Sequence, residues 1–339
     1  MSKKTVLVTR KIPEAGLSLL RKSAIVKICS EIDDTLPERE ELIKGVKTAD
    51  VIISLVTEKI DLEIMESNPK LLGISNYAVG YDNIDVKTAT ELGIPVTNTP
   101  GVLTDTTADL AWALLMAVAR RIPAADKFAR KKQFKTWSPN LMLGTDISTG
   151  GLKKQKTLGI IGYGKIGKAV HKRANGFDMK VIAHDPYQKG TIEKTFEYRE
   201  LDDLLRESDF ITIHVPMSEK TNHLIGEREF NLMKKTAFII NTARGPIIEE
   251  KELIKALSEG KIAGAGLDVY ENEPDIPDEL IKMENVVLLP HIGSASTDTR
   301  NEMAKLAASN ATYLLNGKKC EFTVNPKVYE SEAYENRLK

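Results

Sequence analysis

The stretch Leu158-Gly159-Ile160-Ile161-Gly162-Tyr163-Gly164-Lys165-Ile166-Gly167 decides the fold, because it joins a short apolar run to a glycine-rich turn and then to an amphipathic helix over Lys168 to Phe177. Gly162 permits the tight turn, Gly164 lets the backbone approach a pyrophosphate, and Gly167 lets the helix press on the strand. The N-terminus of that helix offers N–H groups and the positive end of its dipole to the anion. A glycine motif alone is a weak signal. Here the next apolar run, Met179 to His184, ends in Asp185, at the distance where a carboxylate meets the hydroxyls of an adenosine ribose. A carboxylate accepts hydrogen bonds from a ribose diol but repels a 2′-phosphate, so NAD(H) is expected as cofactor over NADP(H). Pro186 and Tyr187 supply no arginine, and Lys189 is the cation that would rescue some NADP(H) binding.

Working outward, short β-branched runs alternate with amphipathic stretches along most of the chain, the signature of parallel βαβ units. The class is α/β, with two doubly wound parallel sheets. A first series has strands expected at Thr5 to Thr9, Ile25 to Cys29, Asp50 to Ser54, Leu71 to Ser75 and Pro95 to Asn98, a flavodoxin-like unit. Helices fall between them, such as Pro37 to Val46 and Asp85 to Leu92, with Pro37 suited to a first turn. A second, Rossmann-type series has strands expected at Leu158 to Gly162, Lys180 to His184, Phe210 to Val215, Ala237 to Asn241, Ala263 to Val269 and Val286 to Leu289. Thr104 to Arg121 reads as a long interdomain helix, with Thr-Asp-Thr-Thr at its start and Arg-Arg at its end. Residues 131 to 156 show no period and suit an extended arm. Thr299 to Asn316 is a last helix with no strand of its own, so it must pack on elements already built.

Composition narrows the function. The 339 residues carry 48 Lys and Arg against 48 Asp and Glu, so no global field holds the protein to nucleic acid or an anionic membrane. The most apolar stretch, Leu110 to Ala119, is far shorter than the roughly 20 residues of a spanning helix. Met1 to Pro13 lacks the apolar core of a secretory signal, and Cys29 and Cys320 have no CxxC partner and read as inert thiols. A cytoplasmic protein with neither membrane nor nucleic-acid partner is expected.

Three later segments place polar residues where strands end, the edge at which open α/β sheets bind ligands. Asn241-Thr242-Ala243 runs into Arg244-Gly245, and an arginine there can fork onto a carboxylate and polarise a neighbouring carbonyl. Asp268-Val269 leads to Tyr270-Glu271-Asn272-Glu273-Pro274, and Leu289-Pro290 leads to His291-Ile292-Gly293-Ser294. A Glu273–His291 pair makes chemical sense, since a carboxylate stabilises imidazolium, raises its pKa and keeps a proton available for a substrate oxygen near neutral pH. Singly, Arg244 reads as a surface cation, Glu273 as a solvated turn acid and His291 as a capping side chain; their joint occurrence beyond a dinucleotide loop points to a site. His214, with Val215 and Pro216 at a strand end, frames the cofactor rather than carrying chemistry. No metal is expected, because His171, His184, His214, His223 and His291 show no close ligand spacing.

These motifs together resemble the D-isomer-specific 2-hydroxyacid dehydrogenases over nearly the whole chain. The stretches Gly162 to Gly167, Asn241-Thr242-Ala243-Arg244-Gly245-Pro246, Asp268 to Pro274 and Pro290-His291-Ile292-Gly293-Ser294-Ala295 carry the resemblance. Asn76-Tyr77-Ala78-Val79-Gly80-Tyr81-Asp82-Asn83-Ile84-Asp85 and Trp137-Ser138-Pro139 look most like the glyoxylate and hydroxypyruvate reductase branch.

The resemblance implies that Arg244 binds and polarises a 2-oxo acid, His291 donates the proton and Glu273 raises the His291 pKa, with Leu55, Val79 and Gly80 lining the substrate pocket. It places Thr107 at the cofactor phosphate, Lys165 and Ile166 at the pyrophosphate, Asp185 at the ribose, and Thr242, Ala243 and Asp268 on the nicotinamide side, with Gly293 a further cofactor contact. It also implies discontinuous domains: 1–102 and 291–339 for substrate, 103–290 for NAD, and a cleft that closes about residues 102 and 291. Related formate dehydrogenases do not use the Glu–His pairing, so Glu273 argues against formate. Thr145 to Gln155 is longer than the corresponding loop usual in that branch. The family's interdomain helix and arm commonly build a dimer, and the apolar run Leu110 to Ala119 needs burial against something large, so a homodimer is expected. The same mechanism would serve 2-ketogluconate, D-lactate or D-3-phosphoglycerate, and an NAD(H)-sensing corepressor shares this fold and these three positions.

Overall fold

The computed structural model describes residues 3–31, 35–148, 155–188 and 196–339. They form two compact units, Met1–Leu103 with Ala295–Lys339, and Thr104–Ser294.

The first unit is built on β1 (Thr5–Arg10), β2 (Ile25–Ser30), β3 (Val51–Ser54), β4 (Gly73–Asn76) and β5 (Val96–Thr97), ordered β2-β1-β3-β4-β5 with every pair parallel. The apolar runs of β1, β3, β4 and β5 are buried on both faces, as a sheet covered by crossover helices requires, while the edge strand β2 is only part-buried. Leu7, Ile52, Ile74 and Val96 pack with Leu42, Val46, Ile64 and Met65 from the helices on one side. The expected helix from Pro37 starts instead at Arg39, with Glu38 as its extended N-cap, so Pro37 lies before the helix. Thr297–Leu315 packs on helix Glu14–Ser23 and on β3 and β4, which answers where a helix without a strand finds its core. Past it, Val324 N–H donates to Val96 O at 2.8 Å and Asn98 N–H to Phe322 O at 3.2 Å. The end of the chain thereby covers the outer edge of β5, an edge that would otherwise present unpaired backbone groups.

The second unit holds β6 (Thr157–Ile161), β7 (Lys180–His184), β8 (Glu197–Tyr198), β9 (Phe210–Ile213), β10 (Phe238–Asn241), β11 (Gly264–Leu267) and β12 (Val286–Leu288). Their order is β12-β11-β10-β9-β6-β7-β8, all parallel. β8 is one strand more than the sequence reading expects; two residues are too few to show a period. Alternate side chains build two cores, as the two-residue strand repeat dictates. Ile161, Ile211, Ile213, Ile239 and Leu267 face one side, and Leu158, Ile160, Phe210, Phe238 and Ile240 the other.

The second of these cores is closed by helix Thr104–Ala119, which buries Ala111, Trp112, Leu114, Leu115 and Val118. That helix lies within the second unit, so its apolar face is covered by the unit's own sheet, and the expected need for a partner to bury it does not arise. It stops at Ala119 rather than at Arg121 because Arg121 turns left-handed (φ 53°) and Pro123 opens a new helix, Ile122–Arg130, in a stretch to which the sequence reading assigns no element. Among the described residues no helix is long and apolar enough to cross a membrane.

The clasp at β5 yields a stability prediction. Asn325 is buried, accepts Val96 N–H through Oδ1 at 2.8 Å and donates from Nδ2 to Ile94 O at 3.0 Å. Asn325→Ala strands a donor and an acceptor at about 1–3 kcal/mol each, so urea unfolding of the variant should show a loss of about 2–6 kcal/mol. An unchanged unfolding midpoint would mean that water replaces the side chain without cost.

Candidate functional site

In the seven-stranded sheet the strand order reverses between β6 and β9, and the loops leaving their carboxyl ends diverge to either side of a crevice. The glycine loop begins there. Gly162 has φ 91°, and a Cβ at this position would lie 2.7 Å from the His214 carbonyl carbon, so the turn admits only glycine. A Cβ on Gly167 would stand 2.3 Å from Gly162 O, the close approach of helix to strand that the motif requires. Gly164, by contrast, has open space around it and is exposed with Lys165, while Ile166 is half-buried. Open space thus lies over the first turn of helix Lys165–Ala174, whose leading N–H groups have no intrahelical acceptor.

Asp185 follows β7 directly. Its Oδ2 accepts the Tyr163 N–H and its Oδ1 the Tyr187 N–H, each at 3.0 Å, which fixes the carboxylate beside the loop while each oxygen keeps a lone pair. Lys189 lies outside the described residues, as do 149–154 of the long loop. At the end of β9, His214 Nε2 is 2.8 Å from Thr212 Oγ1, and burial pushes its imidazole down to about 3, so the ring is neutral over the working range. Val215 is half-buried and Pro216 exposed at the same strand end.

The three expected acid–base and carboxylate-binding residues come together at the ends of β10, β11 and β12. Asn241 folds the turn after β10: its Nδ2 donates to Arg244 O at 2.8 Å and its Oδ1 accepts the Ala243 N–H at 3.0 Å. Arg244 Nη1 donates to Ala243 O at 2.8 Å. After β11, Asp268 holds the next segment: its carbonyl accepts the His291 N–H at 2.9 Å and its Oδ1 the Ile292 N–H at 2.7 Å. His291 takes a left-handed conformation (φ 53°), and its Nδ1 lies 2.7 Å from Glu273 Oε2. Glu273 Oε1 accepts the Tyr270 N–H at 3.0 Å. Burial alone would push the Glu273 carboxyl up; the hydrogen bond and charge of His291, the Tyr270 N–H and the Arg244 guanidinium outweigh it and hold the carboxyl below its ordinary value. With Nδ1 committed to a carboxylate, Nε2 is the ring atom left to exchange a proton.

Two buried polar atoms at this edge, Asp268 Oδ2 and Thr242 Oγ1, have no hydrogen-bond partner. Burial raises the Asp268 carboxyl pKa although the Ile292 and Gly293 N–H groups and His291 oppose it. A Cβ on Gly293 would lie 3.2 Å from Asp268 Oδ2 and 3.7 Å from Thr107 Oγ1, which places Thr107, Asp268 and Gly293 around one small space. Unsatisfied buried groups cost about 1–3 kcal/mol each and are expected where a ligand completes the set. The glycine loop, the Asp185 carboxylate beside it and the orphaned atoms together fit a nicotinamide dinucleotide. No group of three or more His, Cys, Asp or Glu among the described residues is placed to hold a metal ion.

In the first unit, Leu55 follows β3, and Val79 and Gly80 follow β4, all half-buried. Their backbones are pinned by side chains that the sequence reading assigned no role. Glu58 Oε2 accepts the Leu55 N–H at 2.7 Å, Asn83 Nδ2 donates to Leu55 O, Asn98 Nδ2 to Val79 O and Asn76 Nδ2 to Gly80 O, the last three at 2.8 Å. Asn76 and Asn83 lie within the stretch Asn76 to Asp85, but nothing in a lone sequence separates a pinning amide from a solvated one. Glu58 is buried against Arg10 at 2.7 Å, an ion pair whose partners lie 48 residues apart.

Residues 112–293 match the family described as D-isomer specific 2-hydroxyacid dehydrogenase, NAD binding domain. The glyoxylate reductase of Korarchaeum cryptofilum is 48% identical over 330 residues, covering 96% of this chain and 97% of that protein. The glyoxylate reductase of Thermococcus litoralis is 48% identical over 335 residues, covering 97% of this chain and 99% of that protein. Among solved structures, an NADPH-dependent glyoxylate/hydroxypyruvate reductase from Sinorhizobium meliloti, crystallised with NADP and malonate, superposes with a TM-score of 0.82 at 30% identity, over 96% of this chain and 98% of that one. A crevice built for a nicotinamide dinucleotide beside an Arg, Glu and His cluster, and relatives of this extent, lead to one conclusion: the chain belongs to the D-isomer specific 2-hydroxyacid dehydrogenases, oxidoreductases that act on CH–OH groups with a nicotinamide cofactor.

Proposed function

We propose that this enzyme reduces glyoxylate or hydroxypyruvate with NADH, giving glycolate or D-glycerate. The observation that carries the chemistry is the His291–Glu273 contact at 2.7 Å, with the Arg244 guanidinium close enough to lower the Glu273 pKa. The choice of acid is supported by the names of the relatives. The bound nicotinamide supplies two electrons and a hydrogen to the carbonyl carbon. Arg244 forks onto the substrate carboxylate and polarises the adjacent carbonyl, and its charge opposes the negative charge that builds on that oxygen. His291 delivers its Nε2 proton to the same oxygen, while Glu273, bonded at Nδ1, fixes the ring and balances the imidazolium charge. Gly162, Gly164, Lys165, Ile166 and Gly167 would hold the pyrophosphate, Asp185 the ribose, Thr107 a phosphate oxygen, and Thr242, Ala243, Asp268 and Gly293 the nicotinamide side, with Val215 and Pro216 framing it. Residues Leu55, Val79 and Gly80 are proposed to meet the substrate. Residues 1–102 and 291–339 are proposed as the substrate-binding domain and 103–290 as the NAD domain. Homodimerisation is proposed from the exposed apolar side chains of the arm, Phe134, Trp137 and Leu143.

Initial rates with NADH and NADPH against glyoxylate, hydroxypyruvate, pyruvate and 2-ketogluconate test the reading. Fast turnover of the first two with NADH is expected; turnover confined to 2-ketogluconate would keep the mechanism and move the substrate, and none with any of them would remove the proposal. Asp185→Ala should lower the ratio of kcat/KM for NADH over NADPH by about tenfold or more.

His291→Ala should cost kcat about 10²–10⁴-fold with little change in substrate KM, the loss of one general acid. Arg244→Ala should raise KM and lower kcat together, because one side chain serves both ground state and transition state. Retention of near wild-type kcat by His291→Ala would show that another group delivers the proton.

A third test uses pH. Glu273 titrates below its ordinary value of 4.5 in the folded protein, so its pairing contributes stability above that pH and loses it as the pH falls through the lowered folded value. Thermal scans of wild type and Glu273→Gln should therefore differ near pH 7 and converge in acid. Equal midpoints near pH 7 would show that the pair contributes nothing to the fold.

A further inference from the structure

The second unit holds a second imidazole–carboxylate contact that the proposed chemistry does not use: His223 Nε2 lies 2.7 Å from Glu271 Oε1. His223 belongs to the segment that follows β9, and it is held in the left-handed region at φ 49°, an uncommon conformation for a side-chain-bearing residue. Its backbone is laddered onto the turn that begins at Arg244. The His223 N–H donates to Pro246 O at 2.8 Å, the Ile225 N–H to Ile247 O at 3.1 Å, and Ile225 O accepts the Glu249 N–H at 2.9 Å.

Glu271 joins the same block from the other side. Its Oε2 accepts the Glu250 N–H at 3.2 Å, and its own N–H donates to Glu250 Oε2 at 3.3 Å. The two loops are also in steric contact, since a Cβ on Gly245 would fall 1.8 Å from Tyr270 O. Arg244 therefore sits next to the peptide that leads to Glu271, and Glu273 lies two residues further along the same loop. The His223 imidazole bridges from the post-β9 segment to that loop, yet it is itself 39% exposed and needs no burial to do so.

We propose that His223 is a positioning residue: through Glu271 it locks the loop bearing Glu273 onto the turn bearing Arg244. The inference rests on the acid–base reading given above. Releasing the lock lets the Glu273 carboxylate drift from His291 Nδ1, and a displacement of about 1 Å in a reacting constellation can cost on the order of 10²-fold in rate. The glycine loop and Asp185 lie on other elements, so cofactor affinity is not expected to follow.

The test is a double-mutant cycle on the intact enzyme with glyoxylate and NADH. His223→Ala and Glu271→Ala should each lower kcat about tenfold, leave the NADH KM within about threefold, and together cost no more than either alone. His223→Gln, which keeps an N–H donor, should recover most of the rate. Where an alanine variant melts early, His223→Phe, which keeps the ring but has no donor, takes its place under the same criterion. Single variants with kcat within about twofold of wild type, or losses that add fully, would overturn the lock while leaving the acid–base site standing. A wild type that turns over no 2-oxo acid would remove the acid–base reading first, so the two failures are told apart.

Discussion

A parallel strand pair can be joined only by a crossover that returns the chain to its starting edge, and every strand pair in both sheets of this protein is parallel. The carboxyl ends of all strands in a sheet therefore emerge on one side. That constraint gathers Gly162, Asp185, His214, Arg244, Asp268 and His291, spread over 130 residues of sequence, at a single edge of the seven-stranded sheet. The apolar strands and the helices on both faces keep that edge rigid, and the polar chemistry is confined to the short segments beyond it.

Within those segments the polar groups hold one another before they hold a ligand. Asn241 closes the Arg244 turn, Asp268 anchors the His291 segment through both its carbonyl and its carboxylate, and the Tyr270 N–H steadies Glu273. The left-handed backbone at His291 is the cost of turning the imidazole back towards Glu273 within one residue of Pro290. What the protein leaves unsatisfied, Asp268 Oδ2 and Thr242 Oγ1, marks where protein donors and acceptors stop.

Much of this was legible in the sequence, for physical reasons that can be named. Parallel strands read as apolar or β-branched runs, nearly continuous where they are buried, so eleven of the strands are legible, and the glycine motif with Asp185 carries its own geometry. Glu197–Tyr198 was not legible because a two-residue edge strand needs neither period nor burial. The end of the long helix near Arg121 is legible from its Arg-Arg, whereas the following helix Ile122–Arg130 falls in a stretch to which the sequence reading assigns no element, and the long helix's apolar face is given to a partner because sequence does not say which surface covers it. The side chains that pin loops, Glu58, Asn76, Asn83, Asn98 and the His223–Glu271 pair, were invisible for a further reason. Their partners are backbone atoms or distant residues, and such contacts exist only once the chain has folded.

The clasp of the chain's last segment over β5 also bears on how the protein is made. The unit Thr104–Ser294 is continuous and can assemble as it leaves the ribosome, whereas the first sheet needs Ala295–Lys339 to supply its last helix and cover its edge. At about 5–20 residues per second, synthesis of the intervening unit takes roughly 10 to 40 s. Through that interval the nascent N-terminal sheet holds an uncovered helix-packing face and an unpaired edge strand, the surfaces on which chaperones act and nascent chains aggregate. In this protein the dinucleotide crevice can form early, and the part of the chain synthesised first is the last to reach its native form.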